Sequence, residues 1–374
     1  MRIALYSQVF PPHIGGSGTR AKLLAEGFAE LGHAVTVITR TPSGTAEASF
    51  PFRLVRRPSL RQLCARLAQA DLVLSIGPCM ALGLLARAML KPVVIAHPMF
   101  PARGVRGLAA RALCTGVPNI APSVALQRVL PVPATVLPSP YDDGLFHKRG
   151  TAEDRQHDLV FVGRLVEEKG LQNLLQALRL LRQRGLDLDL TVVGSGPAAA
   201  AYDELARNLG LESRVTFLGA AAPTRIAEIY NRHKIAVIPS LCEEGFPRVA
   251  FEAIACGCLV VGALAGGLPE AIGPCGLTYQ KTSIGDLASR LEQLMQQPGL
   301  AEQMQSRATD HLAPHRRLAA AASYLSFIAN RFPGLACAAP GSPDGRVELP
   351  APAVGGMSGS TAPLARSRAL RAHG

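Results

Sequence analysis

The chain has no tryptophan, and aromatic residues make up only 5% of its 374 positions. Nucleic-acid surfaces that stack bases depend on aromatic side chains, so this scarcity argues against a nucleic-acid partner. The eight cysteines form no CxxC pair, and the single C-x-C, at Cys256 and Cys258, has no further ligand cluster beside it. We therefore expect reduced, structural cysteines in a cytosolic protein and no metal site.

Long apolar runs are also missing. The most apolar stretch, near residues 72–100, is interrupted by Arg87, Lys91, Pro92 and His97, which argues against a transmembrane helix. The segment MRIALYSQVF lacks a basic start and a small-residue cleavage site, so it is interpreted as a first strand rather than a signal peptide. We expect a cytoplasmic protein that associates peripherally with the inner face of the plasma membrane.

Charge is unevenly distributed along the chain. Residues 1–148 carry 16 Lys and Arg against 6 Asp and Glu, whereas residues 149–332 carry 19 of each. Arginines recur in two groups of the first half, which include Arg53, Arg56, Arg57, Arg61, Arg66, Arg103, Arg106 and Arg111. This excess favours an anionic partner, such as an anionic membrane surface, on the N-terminal side, with a solvated basic surface as the alternative.

The order of the apolar runs predicts parallel α/β structure. A short strand at 2–6 is followed by the loop PPHIGGSGT, a helical pattern near 20–31 and a second strand at 34–39. This order implies parallel strands joined by right-handed crossovers. Further strands are predicted at 71–76 and 92–97, and weaker patterns at NIAPS and ATVLP.

A domain boundary is predicted near residue 150, after a proline-rich stretch and a polar, turn-rich segment. A second series of strands and helices begins with DLVFVG and continues to about residue 330. The predicted domains are 1–148 and 149–332, with the last helix free to pack back on the first domain, and a disordered tail at 333–374. The predicted fold class is α/β, with two Rossmann-like, doubly wound domains facing a cleft.

An acidic pair marks the segment 239–272. Glu244 follows a predicted strand and opens a Gly-Phe turn, and Glu252 lies eight residues later on the next helix. Gly245 permits close approach of the backbone to a ligand, and the helix start favours an anion. Carboxylates accept hydrogen bonds from vicinal sugar hydroxyls. The alternative is an ordinary pair of acids at a helix start, where the dipole favours them.

Two further features of the second domain converge on the same cleft. FVGRLVEEKG places Arg164 and Lys169 just after the first strand, spaced so that both cations can reach one diphosphate. VVGSGP places Gly194 at another strand end, although a lone G-x-G is weak evidence. The alternative for Arg164 and Lys169 is a pair of surface cations.

With these motifs together, residues 1–330 resemble the GT-B-fold glycosyltransferases of family 4, the bacterial group 1 transferases. The resemblance implies that Glu244 holds donor-sugar hydroxyls, that Glu252 holds the ribose, and that Arg164 and Lys169 bind the donor diphosphate. It also implies that a turn and a closing loop border the donor, formed by Gly245, Phe246, Gly266, Gly267 and Glu270. The family usually has glycine where this chain has Pro247, which puts donor contacts near Pro247 and Arg248 in doubt.

The first domain supplies two further candidates. Gly15 and Gly16 follow the first strand, but the sequence continues SGTR rather than completing G-x-G-x-x-G, and no acid ends the second strand. A hydride-transfer enzyme is therefore disfavoured. By resemblance, Gly15 and Gly16 border the donor phosphates and the acceptor. His97 ends a strand, where histidines are more often structural, but the family carries a histidine near the donor sugar at this place.

The resemblance implies a retaining hexosyltransferase with a catalytic set of Glu244, Arg164, Lys169 and His97. A UDP- or GDP-linked sugar would serve as donor substrate, without a cofactor or metal, because no Asp-x-Asp cluster occurs in the cleft loops. The acceptor would be a saccharide or lipid-linked molecule, bound by the basic first domain, in polysaccharide, lipopolysaccharide or glycolipid synthesis. The alternatives are a sugar-nucleotide epimerase, a phosphorylase or a non-catalytic sugar-binding relative.

Overall fold

The computed structural model describes residues 1–13, 15–43, 49–100, 111–151 and 153–335. The predicted roles of Arg103 and Arg106, and nearly all of the predicted tail at 333–374, lie outside these ranges. No helix within them is both long and apolar enough to cross a bilayer.

The first sheet has seven strands in the order β3-β2-β1-β4-β5-β6-β7, and every pairing in it is parallel. Short runs of Val, Ile and Leu, buried on both faces, produce this arrangement. The strands are β1 (Arg2–Ser7), β2 (Ala34–Thr39), β3 (Arg53–Arg56), β4 (Leu72–Ile76), β5 (Val93–Ala96), β6 (Asn119–Ala121) and β7 (Thr135–Val136).

Helices cover both faces of this sheet. The described helices between its strands are α1 (Gly16–Glu30), α2 (Leu60–Gln69), α3 (Met80–Ala88) and α4 (Val124–Val129). The core around α1 includes Leu24 and Phe28, whereas Leu67 of α2 and Leu82 of α3 belong to a separate core on another part of the sheet. The α2 and α3 helices therefore pack on a core that is distinct from the core of α1.

The second sheet has six parallel strands in the order β10-β9-β8-β11-β12-β13. In both sheets the strand order reverses beside the first strand. This is the doubly wound order, in which ligands bind at the carboxyl edge of the sheet near the reversal. The strands are β8 (His157–Val162), β9 (Leu190–Val193), β10 (Val215–Gly219), β11 (His233–Ile238), β12 (Leu259–Ala263) and β13 (Gly276–Tyr279).

The helices of the second half pack on this sheet and then leave it. They are α5 (Leu171–Gln183), α6 (Ala199–Asn208), α7 (Pro223–Asn231), α8 (Arg248–Ala255), α9 (Leu268–Ile272), α10 (Ile284–Gln296), α11 (Pro298–Ser306), α12 (Ala308–Leu312) and α13 (Arg317–Arg331). Short 3-10 turns occur at Glu167–Lys169, Gly273–Cys275 and Ala313–His315.

The last helix, α13, returns to the first sheet and packs against α1. Its buried residues Ala321, Tyr324 and Ile328 belong to the same core as α1. Gly27 of α1 gives the room for this contact, since a Cβ there would lie only 2.7 Å from the Ala321 side chain. The C-terminal helix therefore completes the hydrophobic core of the first domain.

Two chain segments pass side by side between the domains: the outgoing connection leads from β7 to β8, and the returning connection leads from α12 to α13. The outgoing connection contains Tyr141, whose amide donates to the His315 carbonyl of the returning connection at 3.1 Å. The Arg317 amide donates to Asp143 Oδ1 at 3.0 Å, and the His315 ring donates from Nδ1 to the Ser139 carbonyl at 3.1 Å. The two domains are thus joined by a pair of hydrogen-bonded segments rather than by one linker.

The structure confirms the predicted α/β class and adds two strands that the sequence interpretation missed. The first is β3 (Arg53–Arg56), which is short, flanked by arginines and at the edge of its sheet; the second is β13 (Gly276–Tyr279), also short and at an edge. Edge strands have fewer buried positions, so their sequences lack the apolar runs by which the central strands are found.

Candidate active site

Lys169 and Glu244 meet at the carboxyl edge of the second sheet. Lys169 ends the 3-10 turn after β8, and Glu244 lies in the loop after the neighbouring strand β11. The two loops approach closely at Gly170, where φ is +72° and a Cβ would overlap the Pro239 carbonyl. The Leu241 amide also donates to the Glu168 carbonyl at 2.9 Å. Adjacent strand ends therefore bring the two predicted side chains together.

The contact between these side chains is a partly buried ion pair. The Lys169 Nζ lies 2.5 Å from Glu244 Oε1, and the side chains are 23% and 14% exposed. Ser240, which is buried, donates from its hydroxyl to the same Oε1 at 2.6 Å. Glu244 Oε2 has no hydrogen-bond partner among the described residues. The carboxylate is thus held by one oxygen, and the other can accept further hydrogen bonds.

Ser240 was not singled out from the sequence, although it lies within the segment that carries the acidic pair. Its position four residues before Glu244, directly after a strand, was the available signal. Serine is common in such loops, and only the folded loop shows that the hydroxyl turns inward to the carboxylate rather than outward to water.

Arg164 pairs with a glutamate of its own turn. Its guanidinium pairs with Glu168 at 2.9 Å, and its side chain is 70% exposed. An exposed pair of this kind contributes little to stability, so it does not fix the guanidinium in place. The convergence of Arg164 and Lys169 on one diphosphate stays a prediction.

Glu252 lies on α8 and is largely buried. Its carboxylate pairs with Arg248 Nη1 at 3.2 Å, and its side chain is 9% exposed. Burial raises the pKa of Glu252, and the Arg248 guanidinium acts in the opposite direction. Pro247 occupies the N-cap position of this helix, where the residue's own backbone N–H takes no part in the hydrogen bonds of the helix. The departure from the family pattern is therefore compatible with the helix that carries Glu252.

Three predicted glycines lie where the two domains touch. A Cβ at Gly245 would lie 2.7 Å from the carbonyl of Pro98, which belongs to the first domain. At Gly267 a Cβ would lie 2.7 Å from the Ser123 hydroxyl, and at Gly266, where φ is +55°, it would lie 2.9 Å from the ring of Phe100 in the first domain. Only residues without a side chain permit this approach. These glycines are explained by packing between the domains, beside Glu244.

Phe246 anchors the same turn to the returning connection. Its ring stacks on His315, with ring centroids 5.4 Å apart, and lies 5.0 Å from the ring of Phe251. Burial lowers the pKa of His315 to about 4. The turn beside Glu244 therefore packs on a neutral histidine of the segment that joins the domains.

Gly194 follows β9 and has φ of +146°, a conformation that favours glycine. A Cβ there would overlap the carbonyl of Gly163, which follows the neighbouring strand β8. Backbone crowding between these strand ends thus accounts for glycine at this position, whether or not a ligand lies beside it.

Gly15 and Gly16 form the start of α1. Gly15 is the N-cap, and a Cβ on Gly16 would meet no atom within 4 Å. In the described part of this loop the helix start has no side-chain cap, and its first turn has no acidic residue. The first amides of α1 are therefore open to an anion.

His97 directly follows β5 and is buried. Its Nε2 lies 3.0 Å from Asn119 Oδ1, and its carbonyl accepts from Arg20 Nη1 at 3.3 Å. Burial lowers the pKa of His97, the hydrogen bond with Asn119 raises it, and the Arg20 guanidinium lowers it. The next residue, Pro98, touches Gly245, so His97 lies beside the turn that follows Glu244.

A hydrogen-bonded clamp joins the domains next to these glycines. The Ser123 hydroxyl of the first domain donates to the Gly245 carbonyl at 2.8 Å. Glu270, at the start of α9, accepts from the amides of Val124 and Ala125 at 2.7 and 2.8 Å. Its carboxylate thus caps α4 across the cleft. The sequence placed Glu270 in a closing loop, but its partners, 145 and 146 residues away, could not be identified from it.

No group of three or more His, Cys, Asp or Glu side chains within the described ranges is arranged to hold a metal ion. Cys256 and Cys258 are buried, and burial raises the pKa of each thiol to about 12. These cysteines are therefore protonated at neutral pH.

The second half of the chain is similar in sequence to known proteins. Residues 143–311 match the family described as glycosyl transferases group 1. A D-inositol 3-phosphate glycosyltransferase of Corynebacterium aurimucosum is 40% identical over 178 residues, covering 46% of this chain and 42% of that protein. One from Rhodococcus erythropolis is 39% identical over 162 residues, covering 41% and 36%. The chain spans less than half the length of these curated relatives.

Solved structures share the fold over most of the chain. Sucrose-phosphate synthase from Thermosynechococcus elongatus superposes with a TM-score of 0.71 at 20% identity, covering 89% of this chain and 99% of that one. Anabaena HepE in complex with UDP gives 0.72 at 20% identity, covering 88% and 100%. Residues 143–311, with Lys169 and Glu244 at the carboxyl edge of their sheet, therefore form a glycosyl transferases group 1 domain, in a chain that has the GT-B fold.

Proposed function

We propose that the protein is a retaining glycosyltransferase of family 4, which transfers a hexose from a UDP- or GDP-linked donor to a saccharide or lipid-linked acceptor. The observation that carries this proposal is the Lys169–Glu244 ion pair, which lies beside the glycines at the contact between the domains. The D-inositol 3-phosphate glycosyltransferases among its relatives support the enzyme class. HepE, solved with UDP and with UDP-glucose, supports a nucleotide-sugar donor.

In this proposal Glu244 orients the donor sugar. Lys169 and Ser240 hold its Oε1, so Oε2 accepts hydrogen bonds from sugar hydroxyls. Glu252, paired with Arg248, accepts from the ribose hydroxyls. Both carboxylates are already oriented by hydrogen bonds before the donor arrives, which reduces the cost of reorganisation in the site.

Positive charge then stabilises the leaving group. The bond between the sugar C1 and the β-phosphate oxygen breaks, and the nucleoside diphosphate leaves with the electron pair. Lys169 and the open amides of α1 neutralise the developing charge. The exposed Arg164 joins them in this proposal by exchanging its ion pair with Glu168 for the diphosphate. The acceptor hydroxyl bonds to C1 from the same face, and its proton passes to the leaving phosphate. We propose that these groups act without a metal ion.

The experiment measures release of the nucleoside diphosphate from a panel of UDP-, GDP- and ADP-sugars. We expect Glu244→Gln to reduce the rate by on the order of 100-fold, because it removes a preorganised charge at the donor. Glu243→Gln is the matched control, since Glu243 is adjacent in sequence but forms an exposed pair with Lys281 at 2.6 Å. Equal rates for Glu244→Gln and the wild type would contradict the assigned role.

We also propose that the first domain binds an anionic membrane that carries the acceptor. The helices α2 and α3, which pack on one core, expose large apolar side chains. Leu60 is 67% exposed and Leu84 59% exposed, and Arg57 and Arg61, close to Leu60 in sequence, are also exposed. An exposed apolar surface with arginines around it suits the interface of an anionic bilayer.

Vesicle sedimentation at low salt tests this surface, with phosphatidylglycerol vesicles compared with phosphatidylcholine vesicles. Each basic residue near an anionic surface contributes about 1 kcal/mol, so Arg57→Glu with Arg61→Glu should weaken binding by at least about tenfold. Arg207→Glu with Arg225→Glu, at exposed sites of the second domain, is the control. Absence of lipid-dependent binding by the wild type would rule out the membrane proposal.

A further inference from the structure

The first turn of α8 carries an ion pair with little exposure to solvent. Arg248 is the first residue of the helix, and Glu252 lies one turn later. Arg248 Nη1 lies 3.2 Å from Glu252 Oε1, and the two side chains are 18% and 9% exposed. These exposures are lower than those of the Lys169–Glu244 pair. The pair therefore lies where water stabilises charge poorly.

This ion pair belongs to the same structural unit as Glu244. A turn, residues 245–247, is all that separates Glu244 from Arg248 in the chain. The turn is fixed on the helix, because the ring of Phe246 lies 5.0 Å from the ring of Phe251 on α8. Phe251 directly precedes Glu252. The pair is therefore held in a fixed position relative to the carboxylate that we assign to the donor sugar.

Arg248 is the cation that offsets the burial of Glu252. Burial raises the pKa of this carboxyl, Arg248 lowers it, and the Asp142 carboxylate of the outgoing connection raises it again. The buried Tyr230 of α7 and Cys256 at the end of α8 also face Glu252, and burial raises the pKa of each, so neither carries a positive charge. Without Arg248, these described neighbours of Glu252 would all be neutral or negative, which favours the protonated carboxyl.

The two oxygens of Glu252 differ in their surroundings. Oε1 accepts from Arg248, whereas Oε2 has no hydrogen-bond partner among the described residues. Oε2 is also not one of the buried atoms that lack a partner, so solvent reaches it. Hydrogen bonds to an ionised acceptor are roughly twice as strong as those between neutral groups. The charge on Glu252 therefore determines how strongly Oε2 binds hydroxyl groups.

We propose that Arg248 is a positioning residue: its guanidinium holds Glu252 as a carboxylate by one oxygen, so that the other oxygen accepts from the ribose hydroxyls of the donor. The identity of the ligand rests on the proposed function, whereas the charge state of Glu252 does not depend on it. The selection of ribonucleotides over deoxyribonucleotides should then depend on Arg248 and on pH, without any contact between Arg248 and the nucleotide.

Carbon NMR of protein labelled with 13C-glutamate tests the charge directly, with the Glu252 carboxyl signal identified by its loss in Glu252→Gln. At neutral pH we expect a carboxylate in the wild type, and we expect Arg248→Met to titrate at higher pH than the wild type. A protonated Glu252 in the wild type, or the same titration in both proteins, would overturn the proposal. The wild-type spectrum decides the first point even if Arg248→Met does not fold.

Affinities for UDP and GDP and for their 2′-deoxy counterparts test the contact with ribose. We expect the wild type to prefer the ribonucleotide by on the order of tenfold. Arg248→Met should lose most of this preference at pH 7 and regain it toward pH 9, where Glu252 ionises without the cation. A purely structural effect of the substitution would give no such recovery. If neither UDP nor GDP binds, the proposed function fails at the donor, whereas the NMR titration still decides the charge.

Two further variants separate the charge of Arg248 from its place in the fold. Arg248→Lys retains a cation and should keep Glu252 ionised, so a loss of preference as complete as in Arg248→Met would show that charge is not the cause. Arg290→Met is the matched control: Arg290 also pairs with an acid four residues away at 3.2 Å, and its Nε is likewise buried without a partner, but it lies on α10. An equal loss of ribonucleotide preference in Arg290→Met and Arg248→Met would contradict the proposed role of Arg248.

Discussion

Glu270 offers a direct test of how the two domains are held together. Its carboxylate accepts from the amides of Val124 and Ala125 at 2.7 and 2.8 Å, across the cleft from its own helix. Glu270→Ala removes both bonds and the charge that caps α4, whereas Glu270→Gln retains a single acceptor. The fold of each domain should survive, because the contact lies between the domains rather than within either core.

The magnitude follows from the kind of bond. A hydrogen bond to a charged group contributes about 1.5–3 kcal/mol, and water can replace the bond to the more exposed Val124 amide, so we expect about 2–3 kcal/mol for the pair. That shifts the equilibrium between closed and open domains by roughly 30–150-fold toward the open form. Ser123→Ala, which removes the hydroxyl bond to Gly245, should shift it in the same direction by less.

Small-angle scattering of the free protein measures this shift as an increase in the radius of gyration, and donor titration measures it as a weaker apparent affinity. Glu302→Ala, on the exposed surface of α11, controls for loss of a glutamate. Unchanged scattering and unchanged donor affinity in Glu270→Ala would refute the idea that this carboxylate holds the domains closed.

Three further predictions concern the second domain. His233 is buried, and burial lowers its pKa to about 4, so the unfolded chain, with a pKa of about 6.5, takes up the proton first. The contribution of His233 to folding stability should therefore fall by about 2 kcal/mol between pH 7 and 5, and by about 1 kcal/mol more toward pH 4. Urea titrations at several pH values measure this slope, which His233→Gln should reduce. Gly194→Ala should destabilise the fold by about 3 kcal/mol, because the added Cβ overlaps the Gly163 carbonyl. Gly185→Ala is the control, since Gly185 has φ of +85° but no atom within 4 Å of a Cβ, and it should cost about 1 kcal/mol. Equal losses of stability in urea denaturation would contradict the overlap. Ser240→Ala should lower kcat/KM by about tenfold with little change in stability, and its effect should be smaller in a Glu244→Gln background, because the hydroxyl acts through that carboxylate; additive effects in this cycle would refute the coupling.

Local patterns were sufficient for the central part of each sheet. Apolar runs identified strands such as β1 and β11, and the order of strands and helices predicted parallel sheets with ligands at the carboxyl edge. The approach of Lys169 to Glu244 follows from this rule, since their loops leave neighbouring strands. The same rule placed His97 at a strand end, although its partner Asn119 went unnoticed.

Contacts between the domains could not be predicted in the same way. Glu270 binds amides 145 and 146 residues away, and no periodicity in either segment records that approach. Arg164 shows a different limit: its spacing from Lys169 permits convergence, but an acid four residues later, Glu168, pairs with the guanidinium. Spacing fixes which backbone positions are close, whereas side-chain rotamers depend on local partners that the spacing does not reveal.

The return of α13 to the first domain has a consequence for how the protein is made. The core around α1 lacks Ala321, Tyr324 and Ile328 until the last helix has been synthesised. At typical translation rates of roughly 5–20 residues per second, the ribosome needs roughly 10–40 s to make the residues between the first domain and that helix. During this interval the second domain can fold while the nascent first domain still exposes the apolar face of α1. The first domain is therefore translated first, but its hydrophobic core is completed last. It is the part of the chain most exposed to chaperones or to aggregation during synthesis.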